Sequence, residues 1–322
     1  MKLFDEIKPV FFIDNKMNNI LNDINVKLKK INVNDKQKRK YMISKSKIRS
    51  IHSSLAIEAN SLSLFDVEII SENKLILGKK DEVQEVKNAI EAYNHINEYN
   101  YKSENDLLKL HELMMKYFDE DNGNYRNHGE GVKRKDEIIY MAPESILVPS
   151  LMKSLFKYIS SSDLNIIILS AIFHYYFVFI HPFSDGNGRC ARFWVTLMLI
   201  NYDKNFEFIP LEEEIYLNQE NYYLAIAECH NNGNANVFIK FILQTINSSL
   251  DKLIKNSNFV CNDIQNKIIE LIANNNRITQ NEIANITNVN VRTIKRNFKI
   301  LIDNLIIERI GSDKAGYWQI LK

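Results

Sequence analysis

A chain of 322 residues has room for a sizeable core and for more than one domain. Its 41 Lys and Arg against 40 Asp and Glu exclude a global polyanion attractor, so a nucleic-acid or membrane-surface role needs a local patch. Three scattered cysteines, Cys190, Cys229 and Cys261, lack metal-ligand spacing and fit a reducing compartment better than a disulfide scaffold.

Few prolines and glycines, with long apolar stretches at helical spacing, predict a mainly α protein. Met1 to Asp14 carries charges ahead of any apolar run, unlike a secretory leader, and the expected location is the cytoplasm. Residues 1–42 are Lys- and Asn-rich, with Met17, Ile20, Leu21, Ile24 and Leu28 on one face of an amphipathic helix. A second helix is predicted from about Lys45 to Ala59, carrying Ile48, Ile51, Leu55 and Ile57. Glu58 near its end opposes the helix dipole, so its carboxylate is either solvated or held by a cation from elsewhere.

Residues 61–100 read as a loop and then one helix, with Val83, Val86, Ala89, Ile90 and Tyr93 on a face, and about 104–117 as another helix. Val132 to Met141 is predicted as a hairpin around a charged tip, ended by Pro143, before a helix resumes over 147–159. Leu164 to Ile180 is apolar enough to raise the question of a membrane span. Asn165, Ser170 and His174, and a length short of about 20 apolar residues, make it a buried core helix instead. Further helices are expected at about 190–202, 218–231 and 236–255, with Tyr222, Tyr223, Phe238 and Phe241 as core.

The polar stretch 256–262 reads as a linker. Beyond it, helices at 263–274, 279–286 and 290–304 and strands at 306–310 and 317–320 follow the order of a winged helix. Its third helix presents Arg292, Thr293, Lys295 and Arg296 at its start, as a groove-reading helix does. DNA binding through Arg292, Lys295 and Arg296 and a purely packing, dimerising or protein-binding unit both remain open.

The chemistry concentrates in Ile180 to Arg192. Gly186-Asn187-Gly188 permits left-handed backbone angles, and a helix then starts at about Gly188, so successive N–H groups and a positive dipole end converge on an anion. Arg189 and Arg192, three positions apart, suit a di- or triphosphate. Asp185 offers a hard oxygen to Mg²⁺, which typically takes one or two carboxylates plus phosphates and waters. His181 titrates near working pH and can take a proton from an attacking hydroxyl. Phe183 is expected to plug the core beneath the loop.

This stretch matches the HPFx(D/E)GNGRxxR signature of Fic-domain proteins at every fixed position, and the similarity extends over about residues 62–245. The resemblance implies a Fic-type helical core at 62–255, between an N-terminal helical region, 1–61, and the winged helix, 256–322. It implies AMP transfer from ATP, with Mg²⁺, to a Tyr, Thr or Ser hydroxyl of a target protein, with self-modification as one outcome. In that account His181 is the base, Asp185 holds the metal, Gly186, Asn187 and Gly188 cradle the phosphates, and Arg189 and Arg192 bind them. The hairpin, through Val132, Lys133, Ile138 and Tyr140, looks like the family's flap, which aligns a target segment by strand addition.

Ser54-Leu55-Ala56-Ile57-Glu58 is similar to the family's inhibitory motif (S/T)xxxE(G/N), which implies that Glu58 pairs with Arg192 and displaces the terminal phosphate. Ala59 departs from the usual Gly or Asn, and Val178 from an acidic residue common in relatives. Removal of AMP from a modified target, and a nucleotide-sensing DNA-binding regulator, are the alternative functions. A homodimer and DNA are the further candidate partners; a membrane is not among them.

Overall fold

The structure is a computed structural model and describes residues 8–31, 33, 35–118, 121–134, 137–257, 261–304, 306–310 and 316–321; of the side chains of 132–139 and 256–257 nothing is said. The chain divides into two compact units, one of Met1–Lys29 with Met42–Leu250, the other of Lys30–Tyr41 with Asp251–Lys322.

The elements that lie wholly or mainly in the first unit are α1 (Asn15–Lys30), α2 (Lys36–Ile57), α3 (Leu64–Ser71), α4 (Lys80–Asn94), α5 (Glu104–Met114), β1 (Gly131–Arg134), β2 (Glu137–Met141), α6 (Val148–Ser161), α7 (Ile166–Ile180), α8 (Asn187–Tyr202), α9 (Leu211–Leu217), α10 (Gln219–Asn232) and α11 (Asn236–Ser257). Helices α7 and α8 form its most extensive packing pair. Twelve of the 15 residues of α7 are buried, which is why the stretch is apolar on all sides without being a membrane span. No helix among the described residues is long and apolar enough to cross a membrane. Phe173 and Phe177 of α7 and Phe193 and Trp194 of α8 are fully buried, each contributing about 2–3 kcal/mol of transfer free energy. Asn165 starts α7 by accepting from the Ile167 N–H (2.9 Å), and the chain leaves it at His181, which is left-handed (φ 52°), just before Pro182.

Four expectations need correcting. Helix α2 begins at Lys36, not about Lys45, because Asp35 caps it through the Lys38 N–H (2.6 Å). The expected loop after residue 61 contains α3, nucleated by a reciprocal Ser63–Asp66 capping box. Short helix α9 falls where no element was expected, in a stretch with three consecutive glutamates at its start. The helix expected to reach Tyr117 stops at Met114.

The hairpin forms as an antiparallel pair with Gly131 opposite Met141 and Val132 opposite Tyr140; a bulge follows before Lys133 pairs with Ile138. Its tip, 135–136, and the side chains of Val132, Lys133 and Ile138 lie outside the described residues.

The second unit contains α12 (Asp263–Asn274), α13 (Gln280–Thr287), α14 (Val291–Asp303), β3 (Ile307–Ile310) and β4 (Tyr317–Ile320), with β3 and β4 antiparallel. Ile268, Ile283, Ile294, Phe298, Leu301 and Trp318 make its core. Thr279 and Glu282 cap α13 reciprocally.

Candidate active site

The loop between α7 and α8 is set from below. Phe183 is fully buried and stacks on the His111 ring of α5 at 3.6 Å between centroids. His111 Nδ1 accepts from the Gly123 N–H (2.9 Å), which leaves Nε2–H to donate to the Asp185 carbonyl (3.0 Å). One buried imidazole therefore fixes the loop at its turn. Gly186 is the residue that needs no side chain there: its φ is 79°, and a Cβ would reach 2.8 Å from Met115 Sδ.

Asn187, expected among the phosphate-binding residues, turns its side chain inward. Its Oδ1 accepts from the Phe183 N–H (3.0 Å) and its Nδ2 donates to the Phe183 carbonyl (2.8 Å), so the amide closes the loop on itself and only the main chain faces outward. Asn187, Gly188 and Arg189 open α8, so their N–H groups lack intrahelical acceptors, and no side chain caps this N-terminus. That is an anion site of three converging donors at the positive end of a 16-residue helix.

Glu58 sits at this site. Its Oε1 accepts from Arg192 Nη2 at 2.7 Å, and a Cβ on Gly188 would run into that same carboxylate oxygen. Gly188 is thus helical, and its missing side chain makes room for an anion rather than for a left-handed turn. Arg192 is fully buried; Nε donates to Ser54 Oγ (3.0 Å) and Nη2 also to the Ser54 carbonyl (2.9 Å). Burial alone would lower the Arg192 pKa, but the Glu58 carboxylate prevails and holds it raised. Solvation of Glu58, one of the two readings open from sequence, gives way to a cation from α8, 134 residues away.

Arg189 faces a different set. Nη1 pairs with Glu85 Oε1 of α4 (2.9 Å) and Nη2 with Asp185 Oδ2 (2.7 Å), while its buried Nε has no partner. Burial would raise the Asp185 carboxyl; the Arg189 guanidinium and the Gly186 N–H outweigh it and hold it below its ordinary value. The Asp185 side chain is 68% exposed, so an ionised oxygen faces solvent beside the cradle.

For Mg²⁺ these residues fit. No cluster of three or more His, Cys, Asp or Glu fit to hold a metal occurs among the described residues, but this ion typically needs only one or two carboxylates besides phosphates and water.

His181 ends α7, and burial pushes its pKa down, with Glu130 opposing. The Val178 carbonyl and Asp185 act with Glu130 against that fall, and the Arg126 charge adds to it. The backbone there is held by a residue that sequence reasoning passed over. Arg126, 4% exposed, donates from Nε to the His181 carbonyl (2.7 Å), from Nη2 to the Ile180 and Pro143 carbonyls and from Nη1 to the His128 carbonyl (2.7 Å). Its own N–H donates to Pro182 O (2.9 Å). A cation is well placed on the last carbonyls of a helix. Tyr140, expected on the target-facing flap, anchors the hairpin instead: its hydroxyl donates to the Phe179 carbonyl (3.1 Å) and its ring lies on His230.

Residues 101–199 match the Fic/DOC family, and residues 262–308 match a winged helix-turn-helix DNA-binding family. The crystal structure of a Fic family protein from Desulfovibrio desulfuricans G20 is 29% identical and superposes with a TM-score of 0.75 over 98% of each chain. Fic-1 from C. elegans shares the fold (TM-score 0.61, 22% identity) over 75% of this chain and 73% of that one.

Among curated proteins, the protein adenylyltransferase Fic of Drosophila yakuba is 26% identical over 62% of this chain and 40% of its own length. That of Nematostella vectensis is 27% identical over 66% and 50%. The chain thus spans half or less of the curated relatives it matches. The 181–192 loop lies within the residues that match the Fic/DOC family, Glu58 lies N-terminal to them, and α14 carries Arg292, Lys295 and Arg296 on its exposed side.

Proposed function

We propose that this protein transfers AMP from ATP to a hydroxyl side chain of a target protein, and that Glu58 holds it inhibited. The observation that carries the reading is the Glu58 carboxylate against Gly188 at the start of α8, paired with Arg192 at 2.7 Å. A carboxylate beside a helix N-terminus and paired with a buried arginine stands where a terminal phosphate oxygen would bind.

With Glu58 displaced, the first-turn N–H groups of α8 and Arg192 would bind the β- and γ-phosphates. His181, neutral because burial lowers its pKa, takes the proton of the target Tyr, Thr or Ser hydroxyl. The hydroxyl oxygen then bonds to the α-phosphorus, the bond from that phosphorus to the β-bridging oxygen breaks, and pyrophosphate leaves. Asp185 would hold Mg²⁺, which when bound neutralises phosphate charge. The β1–β2 hairpin would add the target segment as a further strand. The adenylyltransferase names of the relatives support the same reaction.

The test is labelling by radioactive ATP. Glu58→Gly should label itself or lysate proteins far more than the wild type, and a further His181→Ala should abolish the signal. An inert Glu58→Gly protein would refute the reading. Loss of label from an AMPylated target with the wild-type protein would favour the reverse reaction, with Glu58 orienting a water.

A second activity is favoured by one observation. Arg292, Lys295, Arg296 and Lys299 are exposed along α14, while Ile294, Asn297, Phe298 and Leu301 are buried behind them. Such a basic stripe suits the major groove of DNA. A gel shift with genomic fragments that disappears in Arg292→Ala plus Arg296→Ala tests it.

A further inference from the structure

Helix α2 is seated unlike its neighbours: Ser46, Ser50, Ser53 and Ser54 are all on its buried side. Ser54 meets Arg192, as above. One turn earlier, Ser50 Oγ donates to Glu212 Oε2 at 2.6 Å. Glu212 opens α9 and is fully buried. Its other oxygen accepts from Tyr93 of α4 (2.7 Å) and from Thr196 of α8 (2.8 Å). One carboxylate therefore collects hydroxyl donors from three helices.

The spacing gives this hub its meaning. Ser50 precedes Ser54 by four residues, and Thr196 follows Arg192 by four, so both pairs stand one helical turn apart. Ser54–Arg192 and Ser50–Glu212–Thr196 are thus successive polar rungs between α2 and α8. Beside the second rung lies a cavity of about 140 Å³ bordered by Ser46, Ser50, Tyr93 and Thr196. Ile48, Ile51 and Leu55 pack α2 against the core, while on the side of this cavity the contacts of Ser50 are hydrogen bonds.

We infer that Glu212 is a positioning residue for inhibition: it fixes where α2 sits along α8, and so sets how much of the time Glu58 faces Arg192. The inference rests on the inhibitory reading of Glu58. Loss of a hydrogen bond to a buried carboxylate typically shifts an equilibrium by roughly tenfold or more.

The first measurement is hydrogen–deuterium exchange of the full chain. In Ser50→Ala, and in Thr196→Val, which keeps the side-chain shape, amides of residues 54–60 should exchange roughly tenfold faster while those of α7 stay unchanged. Wild-type exchange over 54–60 in both variants would overturn the proposal.

The second is ATP labelling. Ser50→Ala should raise it several-fold in the wild-type background and leave it unchanged in Glu58→Gly, and Ser50→Thr should restore the low level. An equal change in both backgrounds would mean that the contact is merely structural, and would also overturn it. Failure of Glu58→Gly itself to gain labelling counts against the adenylylation reading alone, because exchange over 54–60 decides the role of Glu212 without reference to catalysis.

Discussion

Helices α2 and α7 both touch α8, yet they meet it by different means. Helix α7 presents Phe173, Phe177 and isoleucines on all sides and makes a permanent interface with α8. Helix α2 also buries Ile48, Ile51, Leu55 and Ile57, but it adds four buried serines, with Ser54 bonded to Arg192 of α8 and Ser50 to Glu212. Apolar burial is non-directional and hard to undo locally, whereas a few hydrogen bonds can be exchanged for water at small net cost. The difference separates a scaffold from a part that can be lifted.

The largest expected effect lies on the scaffold side. Phe173→Ala should cost about 3–5 kcal/mol and lower the denaturation midpoint sharply. A loss under about 1 kcal/mol by denaturant titration would break the contrast. Next, Glu58→Gly removes the partner of the buried Arg192 guanidinium, although the Glu58 side chain itself is 34% exposed. ATP labelling should then rise on the order of 100-fold, and the midpoint of unfolding should fall by less than in Phe173→Ala. A rise of only twofold would mean that α2 is not the restraint.

Acid should act on the α7 side. His174 is fully buried with its pKa pushed down to about 3, chiefly by burial, with Arg192 adding to it. The unfolded imidazole titrates near about 6.5, so the unfolded chain binds the extra proton first as pH falls. The stability from this group is complete above about pH 6.5 and is lost at up to about 1.4 kcal/mol per unit as pH falls from there toward about 3. Denaturant midpoints across pH 7 to 5 check it. In the Glu58→Gly protein, the acid limb of the labelling rate should fall below about pH 6.5, because burial lowers the His181 pKa.

The smallest effect sharpens the α2 side. Ala59 follows the end of α2 in a left-handed conformation, φ 68°, that a β-carbon disfavours by about 1 kcal/mol. Ala59→Gly should stabilise that helix end by about that amount and lower residual labelling of the wild type several-fold.

How much was readable depended on chain distance. Residues 181–192 lie in one local run, so proton acceptor, cradle and arginines could be recognised together. The winged unit was equally legible, since each helix start carries its own cap, as at Thr279. What escaped were the residues that arrive from afar. His111 reaches the loop across 74 residues, Arg126 across 55, and Glu85 meets Arg189 across 104. No spacing rule flags a lone histidine or arginine on an ordinary stretch. The Asn187 amide is a different case: its main chain opens α8, while its side chain satisfies the buried Phe183 backbone. Residue type told that it hydrogen-bonds, not to what.

The guanidinium of Arg126 bonds at once to the root of the hairpin at Pro143 and to the carbonyl of His181. A planar, rigid group bolted at both points transmits strain instead of absorbing it. A peptide pulling on the hairpin would therefore tug on His181, so that under the proposed function seating of the substrate and aiming of the proton acceptor become one mechanical event.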